Sequence, residues 1–264
     1  RADQRDRLTL RRFELRAPGD GGRASGQGEW KGGTATLDIT LQALRPNLFD
    51  NRAPAMTLSG TLGSRWLGLP SPDGTTPLGN TLQLQSRLAL EGKLDKPRND
   101  SVQIDGALQA QRTANGWRVE LNDAQARAGN ASLRGALQAE RSASGTTQLK
   151  TTGQAQGFDP AQWWAAAPAA RLNGTWKTEL QAPPSWRFDA ASTASWLALR
   201  GKAELDVQQD STLAGVPLQA TLRAHSEDSA GSVWNVDAKT NAANNKPTLQ
   251  GQLAARADGD RWRA

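Results

Sequence analysis

The chain has 264 residues, of which 37% are apolar, a composition that suits half-wet β-sheets better than a compact globule. It contains no cysteine, which excludes a disulfide framework and a zinc–thiolate site. The net charge is +6, but the basic residues are scattered and never form a run of five. We therefore expect solvated basic side chains and no nucleic-acid partner.

Apolar and polar residues alternate along most of the chain, and this period of two predicts strands with one apolar and one wet face. The stretch 81–94 is the clearest case, because leucines dominate one parity and Gln, Arg, Glu and Lys dominate the other. Ser86 is the one polar residue on its apolar parity. The predicted strands, in chain order, are 8–15, 24–30, 35–43, 56–62, 81–94, 102–110, 117–121, 131–139, 147–155, 170–176, 197–207, 218–224, 233–238 and 249–253.

Several features interrupt this alternation. The first strand carries a register slip at Arg11–Arg12, and the proline- and glycine-rich residues 63–80 predict a surface loop. Residues 183–193 form a second irregular insertion. Within 158–164, an Asp-Pro pair is a helix-start signal, so we expect one or two helical turns there. The tryptophans beside this break, Trp163 and Trp164, are interpreted as caps on an open end or edge of the sheet.

Strands joined mostly by short turns predict an antiparallel meander, and the fold class is therefore all-β. No amphipathic helix in the sequence is long enough to cover the apolar face of such a sheet. The sheet must then fold over on itself or bind something apolar. We predict a long antiparallel meander curled into an elongated U-shaped, taco-like groove with an apolar interior and few short helical turns. A closed sandwich or barrel is the alternative.

The meander is predicted to run through residues 1–264 as a single continuous β-groove segment, with a sub-boundary near 157–169. The recurring unit, apolar-x-Gly-x-apolar, returns at irregular spacing, which argues against a fixed-period solenoid. The chain starts at Arg1 rather than at a methionine, and both ends resemble mid-pattern strands. We interpret it as part of a longer repetitive protein.

Residues of the apolar parity form the candidate site. The side chains expected to line the groove are Leu82, Leu84, Leu88, Leu90, Leu94, Ile104, Leu108, Leu133, Leu137, Leu172, Trp176, Leu199, Leu205, Leu222, Leu249 and Leu253. The glycines that share this face are Gly60, Gly92, Gly106, Gly135, Gly174, Gly201 and Gly251. Glycine here either permits strong twist and close backbone approach, or keeps a channel open for acyl chains, and both interpretations stand.

The sequence offers little for catalysis. His225 is the only histidine and lies at a polar strand end, where an exposed side chain without a catalytic role is expected. Asp258-Gly259-Asp260 resembles the start of a calcium loop, but the residues that follow supply no further oxygen ligands. We therefore expect no catalytic residue, no metal site and no cofactor, and the protein is predicted not to be an enzyme.

Three stretches resemble the TamB family, the inner-membrane-anchored subunits of the bacterial translocation and assembly module, within the wider AsmA-like group. These stretches are 158–164 followed by 172–176, 199–205 leading to 213–218, and 241–244 with 249–253 and Asp258. Residues 158–260 carry the resemblance. Residues 1–157 share with the family only the alternation.

The resemblance implies a protein of the Gram-negative periplasm, anchored in the inner membrane, with an elongated β-groove. It implies outer-membrane biogenesis, by phospholipid transport between the two membranes along the groove, by help in outer-membrane protein assembly, or by both. The implied partners are phospholipid acyl chains and an outer-membrane barrel of the TamA type. From the residues alone, a non-catalytic structural or interaction module, either a self-packed β-sandwich or an adhesin-like repeat, remains the other candidate.

Overall fold

The alternating stretches form strands throughout the part of the chain that the computed structural model describes. Those residues are 7–17, 19–50, 53–75, 77–95, 100–163, 167–184, 199–226, 233–241, 249–258 and 261–263, with side chains described as far as Ser226. The strands are β1 (Arg7–Arg16), β2 (Arg23–Lys31), β3 (Thr34–Leu44), β4 (Met56–Leu67), β5 (Leu82–Leu94), β6 (Ser101–Thr113), β7 (Gly116–Ala128), β8 (Ala131–Ser142), β9 (Thr147–Phe158), β10 (Ala170–Ala182), β11 (Arg200–Leu213), β12 (Val216–Ser226), β13 (Val233–Asn241), β14 (Leu249–Asp258) and β15 (Arg261–Arg263). The helical elements are a 3-10 turn, Pro46–Leu48, and the one-turn helix α1, Pro160–Trp163.

Each strand lies beside its neighbours in the sequence, so the order in the sheet is β1 to β15. The registers from β1 to β7 and from β9 to β15 are antiparallel. Tight turns make this order possible. Ala214 and Gly215, for example, have φ values of 50° and 79°, as a two-residue hairpin turn requires. The predicted all-β antiparallel meander with few short helical turns is confirmed.

Two compact units divide the chain. The first comprises residues 1–132 and 160–167, and the second comprises 133–159 and 168–264. Helix α1 therefore belongs to the first unit, although it lies in the connection between β9 and β10. The sub-boundary predicted near 157–169 falls around this connection.

Single extra residues bend the strands of the first unit. The register between β1 and β2 shifts after Leu10, which confirms the slip predicted at Arg11–Arg12. β3 and β7 carry similar shifts beside Ala43 and Asp123, whose φ values of 50° and 53° lie in the left-handed region. A bulge of this kind increases the twist of a strand and turns it away from its former plane.

In the second unit, one asparagine joins the irregular parts of three adjacent strands. Asn173 Oδ1 accepts a hydrogen bond from the Gly157 N–H of β9 (2.6 Å), and its Nδ2 donates to the Asp210 carbonyl of β11 (3.3 Å). The fully buried Ser211 hydroxyl accepts from the Asn173 N–H (2.9 Å) and donates to the Asn173 carbonyl (3.1 Å). These bonds satisfy backbone groups that the shifted registers leave unpaired.

Two local predictions have different outcomes. Helix α1 begins at Pro160, directly after Asp159, so the helix start is confirmed. The loop predicted over 63–80 is wrong at its start, because β4 continues to Leu67. Gly63, the first residue of the predicted loop, lies inside this strand, and a Cβ there would meet only Asp38 Oδ1 at 3.5 Å, an ordinary contact.

Four glycines of the apolar parity allow neighbouring strands to approach too closely for any side chain. A Cβ at Gly60, Gly92, Gly174 or Gly201 would overlap a carbonyl oxygen of the adjacent strand. Gly106 is different, since a Cβ there would meet Leu121 Cδ1 at 3.5 Å and no backbone atom closer than 3.9 Å. Close backbone approach thus explains why the first four positions are glycine, but it does not explain Gly106.

We expect Gly92→Ala to destabilise the chain by about 1–3 kcal/mol or more, because the new methyl group must displace the Thr57 carbonyl of β4. Gly106→Ala is the matched control. Its Cβ has room, so the change should be neutral or stabilising by about 0.4–1 kcal/mol through a less flexible unfolded chain. Urea denaturation midpoints of the two variants measure the difference, and equal losses of stability would contradict the close-approach explanation.

Candidate functional site: the apolar face of the sheet

The registers align the apolar residues of neighbouring strands into rows that cross the first unit. One row runs from β1 to β7 without a polar side chain, and its members are Leu15, Ala24, Leu41, Gly60, Leu90, Ile104 and Ala126. The adjacent row runs from β1 to β6 through Phe13, Gly26, Ile39, Leu62, Leu88 and Gly106. Because strands lie ~4.8 Å apart, the first row extends ~29 Å over six spacings. The alternation therefore forms one continuous apolar surface in this unit.

Most of this surface is only half-buried. Among the residues predicted to line the groove in the first unit, Leu94 is buried, with 2% of its surface exposed. The half-buried ones are Leu82, Leu84, Leu88, Leu90, Ile104 and Leu108. At the edge strand β1, Leu8 and Leu15 are 58% and 65% exposed. An apolar surface this open is a feature of binding faces more than of finished cores.

The second unit continues the pattern with more polar and more exposed positions. Trp176 of β10 pairs with Leu205 of β11, which pairs with Leu222 of β12, and the two leucines are 42% and 36% exposed. Leu199 is buried just before β11 begins. The half-buried members of the predicted lining here are Leu133, Leu137, Leu172 and Trp176. The predicted lining also includes three residues of β14, whose side chains lie outside the described part of the chain: Leu249, Gly251 and Leu253.

Trp176 fills the space that two glycines leave on the face of the second unit. A Cβ at Gly153, its partner on β9, would overlap the indole ring, and a Cβ at Gly135 of β8 would lie 3.2 Å from Trp176 Cζ2. The ring therefore lies across both glycines. A Cβ at Gly135 would also lie 2.9 Å from the Thr152 carbonyl oxygen, and among the glycines of the predicted face described above Gly106 alone would accept a Cβ at ordinary contact distances.

Two pairs of hydroxyl side chains on the apolar face are joined across neighbouring strands. Ser86 Oγ donates to the Gly63 carbonyl (3.1 Å), and the Ser64 and Ser86 hydroxyl oxygens lie 3.0 Å apart. In the second unit, the Thr151 and Thr178 hydroxyl oxygens lie 2.9 Å apart across β9 and β10. Such pairs remove the cost of leaving a half-buried hydroxyl without a partner. Alternation alone did not predict them, since a cross-strand partner depends on register.

One end of the first unit has a closed core, which we call the end cluster. Its buried members are Met56, Leu58, Leu94, Val102 and Ala128, from the aligned ends of β4 to β7. Trp163 of α1 packs against it, as do Leu90 and Ile104. Trp163 therefore covers one end of the strands, as the sequence led us to expect. Trp164 lies outside the described residues.

The contact of α1 with the end cluster combines apolar burial with two unpaired polar atoms. Burying an indole contributes roughly 4–6 kcal/mol at most, for 150–250 Å² of surface. Trp163 Nε1 and Gln162 Oε1 are both buried with no hydrogen-bond partner among the described residues. Each such atom costs about 1–3 kcal/mol, so the two together offset much or all of the indole burial. These two unpaired atoms therefore weaken the docking of α1.

The opposite face is wet and carries paired charges. The Arg16 guanidinium, which donates to Glu14, lowers the pKa of that carboxyl, and the Lys177 ammonium does the same for the pKa of Glu179. In the loop after β4, hydrogen bonds from Ser71 and Thr75 lower the pKa of Asp73. Lowered values favour carboxylates that stay ionised, the opposite of what a general acid needs.

The polar face also holds a depression of about 520 Å³ over β3 to β6. Its lining includes the charged residues Asp38, Arg65 and Arg87 and the small residues Gly63 and Ala107. Its polar lining does not suit an acyl chain. The described side chains contain no group of three or more His, Asp or Glu that could hold a metal ion. Within the same ranges, no helix has the length and apolar character needed to cross a membrane.

The arrangement is suited to holding an extended apolar molecule against a surface, since its rows are long, continuous and partly open. His225, the one histidine, is half-buried in β12 between Lys202 and Asn235 of the neighbouring strands. A comparison of the chain with family models, curated proteins and solved structures finds no match in any of the three.

We expect Ser86→Ala to destabilise the chain by about 0.5–1.5 kcal/mol, because it leaves the Ser64 hydroxyl without its acceptor. Ser64→Ala should cost less, since Ser86 keeps its bond to the Gly63 carbonyl. The double variant should be close to the parent protein, because it makes the apolar face continuous. Chemical denaturation of the three variants completes a double-mutant cycle, and additive losses would show that the hydroxyls act independently.

Proposed function

We propose that this chain is a periplasmic segment of a TamB-like bridge that carries phospholipid acyl chains along the apolar face of its sheet. The observation that carries the proposal is the row from Leu15 to Ala126, which crosses seven strands with apolar residues only. A row that runs across strands gives an acyl chain an uninterrupted path. Its half-buried leucines supply a surface that a hydrocarbon can cover.

The face also suits a ligand that slides. Acyl chains are flexible and need no directed hydrogen bonds, and the row contains no polar side chain that would hold one at a fixed place. The hydroxyls nearest to it, Ser64 and Ser86, are paired with each other. A smooth apolar path without anchoring groups favours transfer along the sheet over storage in a pocket.

The family resemblance supports the cellular setting of this proposal. The motifs at 158–164, 172–176 and 199–205 are the residues from which an inner-membrane-anchored protein, a barrel partner of the TamA type and a periplasmic location are inferred. Help in outer-membrane protein assembly remains a second role for the same face, since an unfolded strand is also an extended and partly apolar molecule.

A non-catalytic interaction module is the second candidate function, and the open apolar surface of β1 favours it. Leu8, Leu10 and Leu15 are 58%, 46% and 65% exposed. A contiguous exposed apolar surface is typical of a site that contacts a protein partner. In this case the face would be covered by protein, and purified material would carry no lipid.

A photocrosslinking amino acid placed at Leu88 should capture phospholipid when the chain is expressed in a Gram-negative host, because Leu88 lies in an apolar row of β5. The matched control is Arg87, which is adjacent in the same strand and lies on the polar face. Mass spectrometry of the two purified products measures the adducts. Equal labelling of both positions, or none at Leu88, would contradict an acyl-chain path.

Leu133→Asp should lower the rate of transfer of a fluorescent phospholipid between vesicles by about tenfold or more, since it places a charge on the half-buried apolar face of β8. Arg134→Asp is the control, because it puts the same charge on the exposed face of the same strand. Circular dichroism and a denaturation midpoint verify that both variants are folded. Normal transfer by folded Leu133→Asp would show that no acyl chain passes this position.

A further inference from the structure

Helix α1 lies against the apolar residues of the first unit and not on its polar face. Its Trp163 packs against the end cluster, against which Leu90 and Ile104 of the row proposed to carry acyl chains also pack. We propose that Trp163 is an internal plug, which covers the end cluster beside this row and must leave before an acyl chain can occupy that side of the path. This inference rests on the proposed function and adds a gate to it.

A hydrogen bond fixes the residue before α1, whereas the helix itself is held weakly. Asp159, which precedes α1, is buried and accepts a hydrogen bond from the Ala170 N–H that starts β10 (3.0 Å). This bond closes the connection between β9 and β10 at its root. The helix itself has four residues, and a single turn is not stable in water without tertiary contacts. Its position therefore depends on tertiary contacts, among them that of Trp163 with the end cluster.

Two buried polar atoms oppose that contact. Trp163 Nε1 and Gln162 Oε1 have no hydrogen-bond partner among the described residues while α1 is docked. Both atoms would be hydrated if the helix moved away. Release of α1 therefore restores the hydrogen bonds to water that the two atoms lose on docking. An acyl chain that enters the end cluster replaces the apolar contacts of the indole without burying a polar atom. The exchange of Trp163 for an acyl chain is therefore favourable at the end cluster.

The apolar contacts of Trp163 favour docking of α1 and the unpaired polar atoms oppose it. Substitutions at residues 162 and 163 should therefore have opposite effects on binding of an acyl chain. Trp163→Ala removes the plug, so the purified chain should bind a dansyl-labelled fatty acid about five- to tenfold more tightly than the parent. Gln162→Leu replaces an unpaired buried acceptor with an apolar group, which should strengthen docking and weaken binding of the same probe about fivefold. Fluorescence titration gives both affinities, and urea denaturation confirms that each variant is folded.

The outcomes separate the plug from the proposed function. Tighter binding by Trp163→Ala together with weaker binding by Gln162→Leu supports the plug. Equal probe affinity in the parent and both variants overturns the plug and leaves the acyl-chain path standing. If neither the parent nor Trp163→Ala binds the probe, both proposals fail.

A thiol reporter tests the same movement without removing the indole. The chain has no cysteine, so Gln162→Cys provides the only thiol for labelling. Phosphatidylglycerol vesicles should increase its reaction rate with a maleimide about fivefold or more, because the acyl chain displaces α1 into solvent. The control is Asn115→Cys, in the exposed turn before β7, whose rate should not change. An unchanged or slower rate at residue 162 overturns the plug. This test keeps Trp163 and therefore remains valid if Trp163→Ala does not fold.

Discussion

The hydrogen-bond ladder between consecutive strands is the constraint on which the structure depends. It forces successive side chains to opposite faces, so a sequence that alternates Leu with Gln, Arg or Lys makes one sheet surface apolar and the other wet. Each strand satisfies its backbone by pairing with its neighbours in the chain, and no second layer is needed for that purpose. The apolar surface is therefore left half-covered over most of the first unit, and its function follows from what can cover it.

Interruptions of the ladder are as informative as its regular parts. At Ala43 and Asp123 an extra residue in a left-handed conformation bends a strand, and at Gly60 and Gly92 two backbones come so close that no Cβ fits. Asn173 and Ser211 pair the backbone groups released where three strands lose register together. This gives the stretch 172–176, one of the motifs behind the family resemblance, a physical role in shaping the sheet.

The strands and their apolar parity could be predicted because both depend on a local period of two. The slip at Arg11–Arg12 and the helix start at Pro160 were also accessible, since each has a signal within a few residues. The loop predicted from residue 63 was wrong at its start, because the sequence does not reveal whether a glycine ends a strand or lies within it. The pairing of Ser64 with Ser86 and the position of Trp176 over Gly153 depend on register across strands, which a single sequence does not specify.

The order of the strands has a consequence for how such a chain is made. Because every strand pairs with the strands that precede and follow it, each pairing joins residues that are close in the sequence. Loop closure is then inexpensive at every step, and folding can advance strand by strand from any hairpin already formed. A chain of this kind can acquire structure while the rest of it is still being synthesised. Such a chain can also gain or lose a hairpin in evolution while the remaining strands stay paired. The length of the sheet can therefore change without a change of fold.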